Sequence, residues 1–278
     1  MKRLISVCVL LCCLVSMAQA KVDLPQLFAD NMVLQQQSDV ALWGKAAANA
    51  KVTITTTWSK AKSVVKADAD GDWFVRIATP AAGGPYEMTF DDGDKLTLKN
   101  VLIGEVWICS GQSNMEMPMR GFFNCPVENA ADFIAAAPAR ERIRMITVPI
   151  RQSYEPLDDF DGSWQGADQG TVPDMSATAY FFARKLNEAL DIPVGVVSFA
   201  YGGARVESWT PEDILKTYPD EDLSREAIEA QVHYVRPYLA YNAMFCPVKG
   251  YTAKGFIWYQ GCSNVGRHQQ FPERMATM

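Results

Sequence analysis

From Val194 to Phe199 the chain is almost continuously apolar, without the alternation of a half-exposed strand. Such a run reads as a strand buried on both faces, the situation of a central strand in a parallel sheet, and Gly255 to Tyr259 repeats the form. The surrounding segments fit that setting. Glu105 to Ser110 is a strand that runs into Gly111, Asn129 to Ala137 reads as a short helix, and Ile143 to Val148 as another strand. Ser176 is a plausible N-cap for a helix reaching Leu190, with Tyr180, Ala183, Leu186 and Leu190 on one face, and Asp191-Ile192-Pro193 ends it. This alternation of strands and helices after Val101 implies an open α/β parallel sheet whose loops gather at the carboxyl ends of the strands.

Before Val101 the pattern differs. Short runs at Val40 to Gly44, Lys51 to Thr56, Trp73 to Ile77, Tyr86 to Phe90 and Lys95 to Leu98 are β-rich, several alternate apolar with polar residues, and glycine-containing turns separate them. These features predict a small β-sandwich over residues 21–100, followed by an α/β domain over residues 101–278. Asp68-Ala69-Asp70-Gly71-Asp72 loosely resembles a calcium loop, but the twelfth position falls on Thr79 where a Glu is needed, so it reads as a solvated turn and no metal is expected.

The first twenty residues have the layout of an export leader, with Lys2 and Arg3 before the apolar stretch Leu4 to Val15 and Ala18-Gln19-Ala20 as the cleavage site. The apolar stretch is shorter than the roughly 20 residues that cross a bilayer, so the expectation is an exported protein, periplasmic or extracellular, with no membrane anchor. The net charge of −6, with basic residues scattered along the chain, gives no support for nucleic-acid binding. Cys109, Cys125, Cys246 and Cys262 lie after the leader without a C-x-x-C spacing; an oxidising compartment would permit disulfides, and buried free thiols are equally compatible with the sequence.

Three polar, glycine-containing segments each follow one of the parallel-type strands: Gly111 to Met115, Gly202 to Arg205, and Gln260 to Asn264. Strand ends of a parallel sheet converge on one edge, so these segments are expected to line one cleft. Ser113 is the candidate nucleophile, lifted by a tight turn that Gly111 makes possible, although a serine in a turn also serves as a simple cap. The turn has Met115 where G-x-S-x-G requires a second glycine, so it is not an α/β-hydrolase elbow. Acyl transfer also needs donors aimed at an oxyanion, and Gly203 and Asn264 could supply them; the plain alternatives are a turn glycine and a loop or cap asparagine. Gln112, Arg205 and Gln260, from the same segments, are candidate substrate-binding residues. His233 and His268 are the only histidines, and His268 reads as a surface residue at a helix start. Trp209 and Trp258 read chiefly as core.

At these segments the sequence resembles the SGNH hydrolases, and within them the sialate O-acetylesterase group. The resemblance rests on Gly104 to Met115 (GEVWICSGQSNM), Tyr201 to Trp209 (YGGARVESW) and Trp258 to Asn264 (WYQGCSN), and extends back into Leu24 to Gly44. It implies an SGNH-type hydrolase domain behind a small β-sandwich, acting without a cofactor on an acetylated sugar or glycan. It implies Ser113 as nucleophile, with the N–H groups of Ser113 and Gly203 and the side chain of Asn264 as oxyanion hole. The sequence departs from the pattern at Cys262, where the group often has Glu, and it contains no D-x-x-H pair to orient and supply a base. The expectation is therefore a hydrolase domain whose C-terminal part is missing.

Overall fold

The computed structural model describes residues 21–137 and 142–278. The expected leader, residues 1–20, lies outside the described residues. The backbone of the fold is a nine-stranded mixed sheet. Its antiparallel part comprises β3 (Lys51–Thr56), β4 (Ser59–Lys66), β6 (Gly83–Asp91) and the first half of β7 (Lys95–Gly111). Its parallel part comprises the second half of β7 with β8 (Ile143–Thr147), β10 (Val194–Ala200) and β11 (Gly255–Tyr259); the short strand β1 (Val33–Gln35) pairs parallel with β7, and β9 (Gln165–Gly166) antiparallel with β8. β2 (Asp39–Lys45) and β5 (Asp72–Ala78) pair antiparallel as a second, two-stranded sheet.

The 17-residue β7 runs through the expected boundary at residues 100 and 101 without a break, so the two parts of the chain share a strand. Val40, Leu42 and Trp73 from the two-stranded sheet join Ile54, Met88 and Phe90 in one buried cluster, which continues into Val106, Val197 and Phe199 of the parallel region. β4 was not foreseen. Its sequence, SKAKSVVK, is mostly exposed, and its lysines blunt the edge of the sheet.

β10 is buried along its whole length between β7 and β8, as its apolar run implied. β11 differs from expectation: among the described residues it pairs with β7 alone, and Phe256 and Tyr259 remain exposed, so its apolar sequence does not mark a strand buried on both faces. The helix α3 (Ala177–Leu190) starts where Ser176 caps it, the serine hydroxyl accepting from the Ala179 N–H at 3.2 Å. Tyr180 and Ala183 face the core, but Leu190 is exposed and Asn187 is buried in the last turn, donating to the Ile192 carbonyl at 2.8 Å. Asp68 accepts the N–H groups of Asp70 and Asp72, both at 2.9 Å, and so forms a turn. The four described cysteines are all free thiols.

Candidate active site

The register of the parallel strands brings the three glycine-containing segments to one level. Gly111, the last residue of β7, pairs with Ala200 at the end of β10 and with Tyr259 at the end of β11. Each segment therefore leaves the sheet beside the other two. At Gly111 φ is +146°, and a Cβ there would lie 2.2 Å from the Tyr259 carbonyl oxygen, so β11 approaches too closely for a side chain. Gln112 is still extended, and Ser113 opens the one-turn helix α1 (Ser113–Glu116). First-turn N–H groups have no intrahelical partner. Among the described residues neither the N–H nor the hydroxyl of half-buried Ser113 makes a hydrogen bond.

The segment after β10 packs directly on this turn. The Gly202 N–H donates to the Glu116 carboxylate, and a Cβ on Gly202 would meet Glu116 Oε2 at 2.8 Å and Ser113 Cβ at 3.7 Å. Burial pushes the Glu116 carboxyl above its ordinary range, and the Gly202 hydrogen bond opposes that shift only in part. Gly203 has φ +79°, with the Tyr234 ring 2.6 Å from where a Cβ would stand, so position 203 excludes a side chain on both counts. Its N–H has no hydrogen-bond partner among the described residues. Next to it, Tyr201 Oη and His233 Nδ1 share a hydrogen bond of 2.5 Å with their rings stacked at 5.9 Å.

Side chains from the first and third segments lock the loops together. Gln112 Oε1 accepts the N–H groups of Gly261 at 3.1 Å and Ser263 at 3.3 Å. Gln260 Nε2 reaches the Ala204 carbonyl at 3.1 Å and Asn264 Oδ1 at 2.6 Å. Asn264 is 1% exposed; its Oδ1 also accepts the Val206 N–H at 3.0 Å, and its Nδ2 donates to Glu207 Oε2 at 2.9 Å. An amide nitrogen carries two hydrogens, so one donor of Asn264 stays uncommitted in these contacts.

Ser113, Gln112, Gly203, Gln260 and Asn264 are thus held in one constellation. Arg205 lines another pocket, with Asp220, Glu221 and Asp222, and its buried Nε has no hydrogen-bond partner among the described residues. His268 is exposed, its Nδ1 3.1 Å from the Val265 carbonyl of its own turn. Trp209 and Trp258 pack edge to face, 6.1 Å apart, around an apolar cavity that also includes Phe199.

Two acidic residues in the constellation were not singled out from sequence. Glu116 directly follows the Gly111 to Met115 segment, and its position three residues after Ser113 on a helical turn is a usable signal in retrospect. Glu207 lies inside the YGGARVESW segment and is 1% exposed. Its Oε1 meets Arg274 of α6 (Phe271–Thr277) and, at 3.1 Å, Arg267; Arg274 in turn contacts Glu221 and Asp220. Asn264 is therefore anchored on the inner end of a buried ionic cluster.

A sequence model described as "Carbohydrate esterase, sialic acid-specific acetylesterase" matches residues 103–278. The human sialate O-acetylesterase is 30% identical over 255 residues, covering 85% of this chain and 48% of that protein. The mouse sialate O-acetylesterase is 30% identical over 298 residues, covering 88% and 54%. The crystal structure of a carbohydrate acetylesterase from Xanthomonas citri superposes with a TM-score of 0.81 at 32% identity, covering 93% of this chain and 56% of that one. The chain spans about half the length of the curated relatives it matches. With more than half of its residues matched by the family's sequence model, the chain belongs to the sialic acid-specific acetylesterase family of carbohydrate esterases.

Proposed function

We propose that this chain carries the nucleophile side of a serine esterase that removes O-acetyl groups from sialic acids or related sugars. Ser113 Oγ attacks the acetyl carbonyl, the N–H groups of Ser113 and Gly203 and the remaining Asn264 Nδ2 donor receive the oxyanion, and the sugar hydroxyl leaves. Water then attacks the acetyl-serine and releases acetate. The observation that supports this reading most is the level ending of β7, β10 and β11, which leaves the Ser113 hydroxyl and the N–H groups of Ser113 and Gly203 in adjoining turns without hydrogen-bond partners among the described residues. The same reading takes residues 21–100 as a small β-sandwich, with β2 and β5 facing β3 and β6 across their shared cluster, and the chain as exported.

The base is the open part of the constellation. The chain contains no D-x-x-H, and neither histidine hydrogen-bonds to Ser113: His233 is engaged by Tyr201 and His268 lies against Val265. That observation favours, as a second reading, a chain that holds acetylated glycan without turning it over. Loss of one triad member leaves about 10³- to 10⁴-fold catalysis over water in serine hydrolases, which acetate release can detect. Release that depends on Ser113 supports the esterase reading. Saturable glycan binding without release supports the second.

A further inference from the structure

Tyr201 to Ala204 form a β-turn: the Ala204 N–H donates to the Tyr201 carbonyl at 3.0 Å, and Gly202 and Gly203 are its two central residues. Gly203 has φ +79° while Gly202 stays outside the positive region, the pattern of a type II turn. Types I and II differ by a flip of the central peptide, with φ of the third residue at about −90° in one and about +80° in the other. The peptide that flips carries the Gly203 N–H, so the type of turn decides which way that donor points. Glycine takes either sign of φ about equally, so the two residues do not themselves choose. The Gly203 N–H makes no hydrogen bond among the described residues, so its direction is set from outside the turn.

The surroundings supply three holds. The Tyr201 N–H donates to the Gly111 carbonyl at 3.1 Å, at the end of β7, and the Gly202 N–H donates to the Glu116 carboxylate. The third hold comes from His233 and Tyr234. His233 Nδ1 and Tyr201 Oη share a hydrogen bond of 2.5 Å at the start of the turn. The Tyr234 ring covers Gly203, with Cδ2, Cε2 and Cγ at 2.6, 2.8 and 3.0 Å from where a Cβ would stand. This pair is itself secured. The Tyr234 carbonyl accepts the Ser208 hydroxyl at 3.1 Å, the His233 carbonyl accepts from Gln152, and the Val235 N–H donates to the Val232 carbonyl at 3.0 Å. The Tyr234 hydroxyl makes no hydrogen bond among the described residues, so the ring is the part of the side chain that acts on the turn.

Resting on the esterase reading of Ser113, we propose that His233 and Tyr234 clamp this turn, and that Tyr234 is a positioning residue that keeps the Gly203 N–H directed at the oxyanion. With the ring against its Cα, Gly203 has no room to swing as the central peptide reverses. A donor held in this way is in place before charge develops on the substrate. Misplacement by about 1 Å costs on the order of 100-fold in rate.

The test compares the native chain with Tyr234→Ala, Tyr234→Leu and Tyr234→Phe, each carrying isotope-labelled glycine. NMR relaxation dispersion of the Gly203 amide reads flipping of the peptide. Hydrolysis of p-nitrophenyl acetate, corrected for the rate of the Ser113→Ala chain, reads the effect of the donor. The Ala and Leu variants are expected to show exchange broadening at Gly203 that the native chain lacks. Their kcat is expected to fall by about 10- to 100-fold with KM little changed, because the oxyanion exists only in the transition state. Tyr234→Phe keeps the ring and is expected to match the native chain in both measurements. The Leu variant retains an apolar side chain and decides the matter where the Ala variant does not fold. A sharp, native Gly203 amide in the Ala and Leu variants, an unchanged kcat, or a Phe variant as slow as the Ala variant overturns the proposal. Absence of Ser113-dependent hydrolysis by the native chain counts against the esterase reading alone, and the Gly203 amide still decides whether Tyr234 holds the turn.

Discussion

The main-chain N–H of Gly202 donates to the carboxylate of Glu116, which fastens the turn after β10 to the turn that carries Ser113. The two residues are 86 positions apart, and their contact holds the turn of Gly202 and Gly203 against the turn of Ser113. A carboxylate so placed is costly, because burial raises its pKa above the ordinary 4.5.

That cost makes stability depend on pH. The folded chain binds the Glu116 proton more tightly than the unfolded chain does, so the contribution is fully present below about 4.5 and is lost as pH rises through the higher folded value. Glu116→Gln keeps an oxygen for the Gly202 N–H and has no charge to desolvate. Urea unfolding is expected to show the Gln variant gaining on the native chain as pH rises from 4.5 toward neutrality. Glu116→Ala, which removes the acceptor, is expected to lose stability at both ends of that range.

Asn264 acts as a donor toward a buried carboxylate, and the type of substitution matters more than its size. Asn264→Ala leaves the Val206 N–H and Glu207 Oε2 each short of a partner, at a cost of about 1–3 kcal/mol. Asn264→Asp instead sets a second carboxylate against Glu207, and two carboxylates at that range do not both ionise. The Asp variant is expected to be the less stable of the two at pH 7 and to recover as pH falls, which chemical denaturation at three pH values would resolve.

Arg274 joins the α6 helix to the same cluster. Its side chain is 2% exposed and contacts the buried Glu207 and Glu221 and the more exposed Asp220, so Arg274→Ala leaves the two buried acids with Arg267 as their remaining cation among the described residues. Removing one partner of a buried pair costs about 3–5 kcal/mol. The expected result in thermal or urea unfolding is a loss of that size; a loss under 1 kcal/mol would mean that water or Arg267 already satisfies the acids.

The strands and helices that place the site were legible where a segment's own pattern carried the information. β10 was read from an unbroken apolar run, and α3 from Ser176 and the spacing of Tyr180 and Ala183. β4 was missed because an edge strand rich in lysine has no apolar period, and the exposure of β11 was missed because an apolar run does not reveal how many neighbours it has. The candidates Ser113, Gly203 and Asn264 come from segments that follow strands, and the level strand ends bring those segments together. Glu116 with Gly202, Tyr201 with His233 and Glu207 with Arg274 are pairings between distant positions, which no local pattern encodes.

The central claim is that Ser113 is the nucleophile of an acetyl-ester hydrolase. It is tested most directly by acetate release from an O-acetylated sugar, measured for the native chain beside Ser113→Ala under identical conditions. The account predicts faster release by the native chain than by the variant, whose residual rate over water would come from binding and the oxyanion donors alone. Equal release by the two would contradict it, because the chemistry would then proceed without the hydroxyl around which the three segments are arranged.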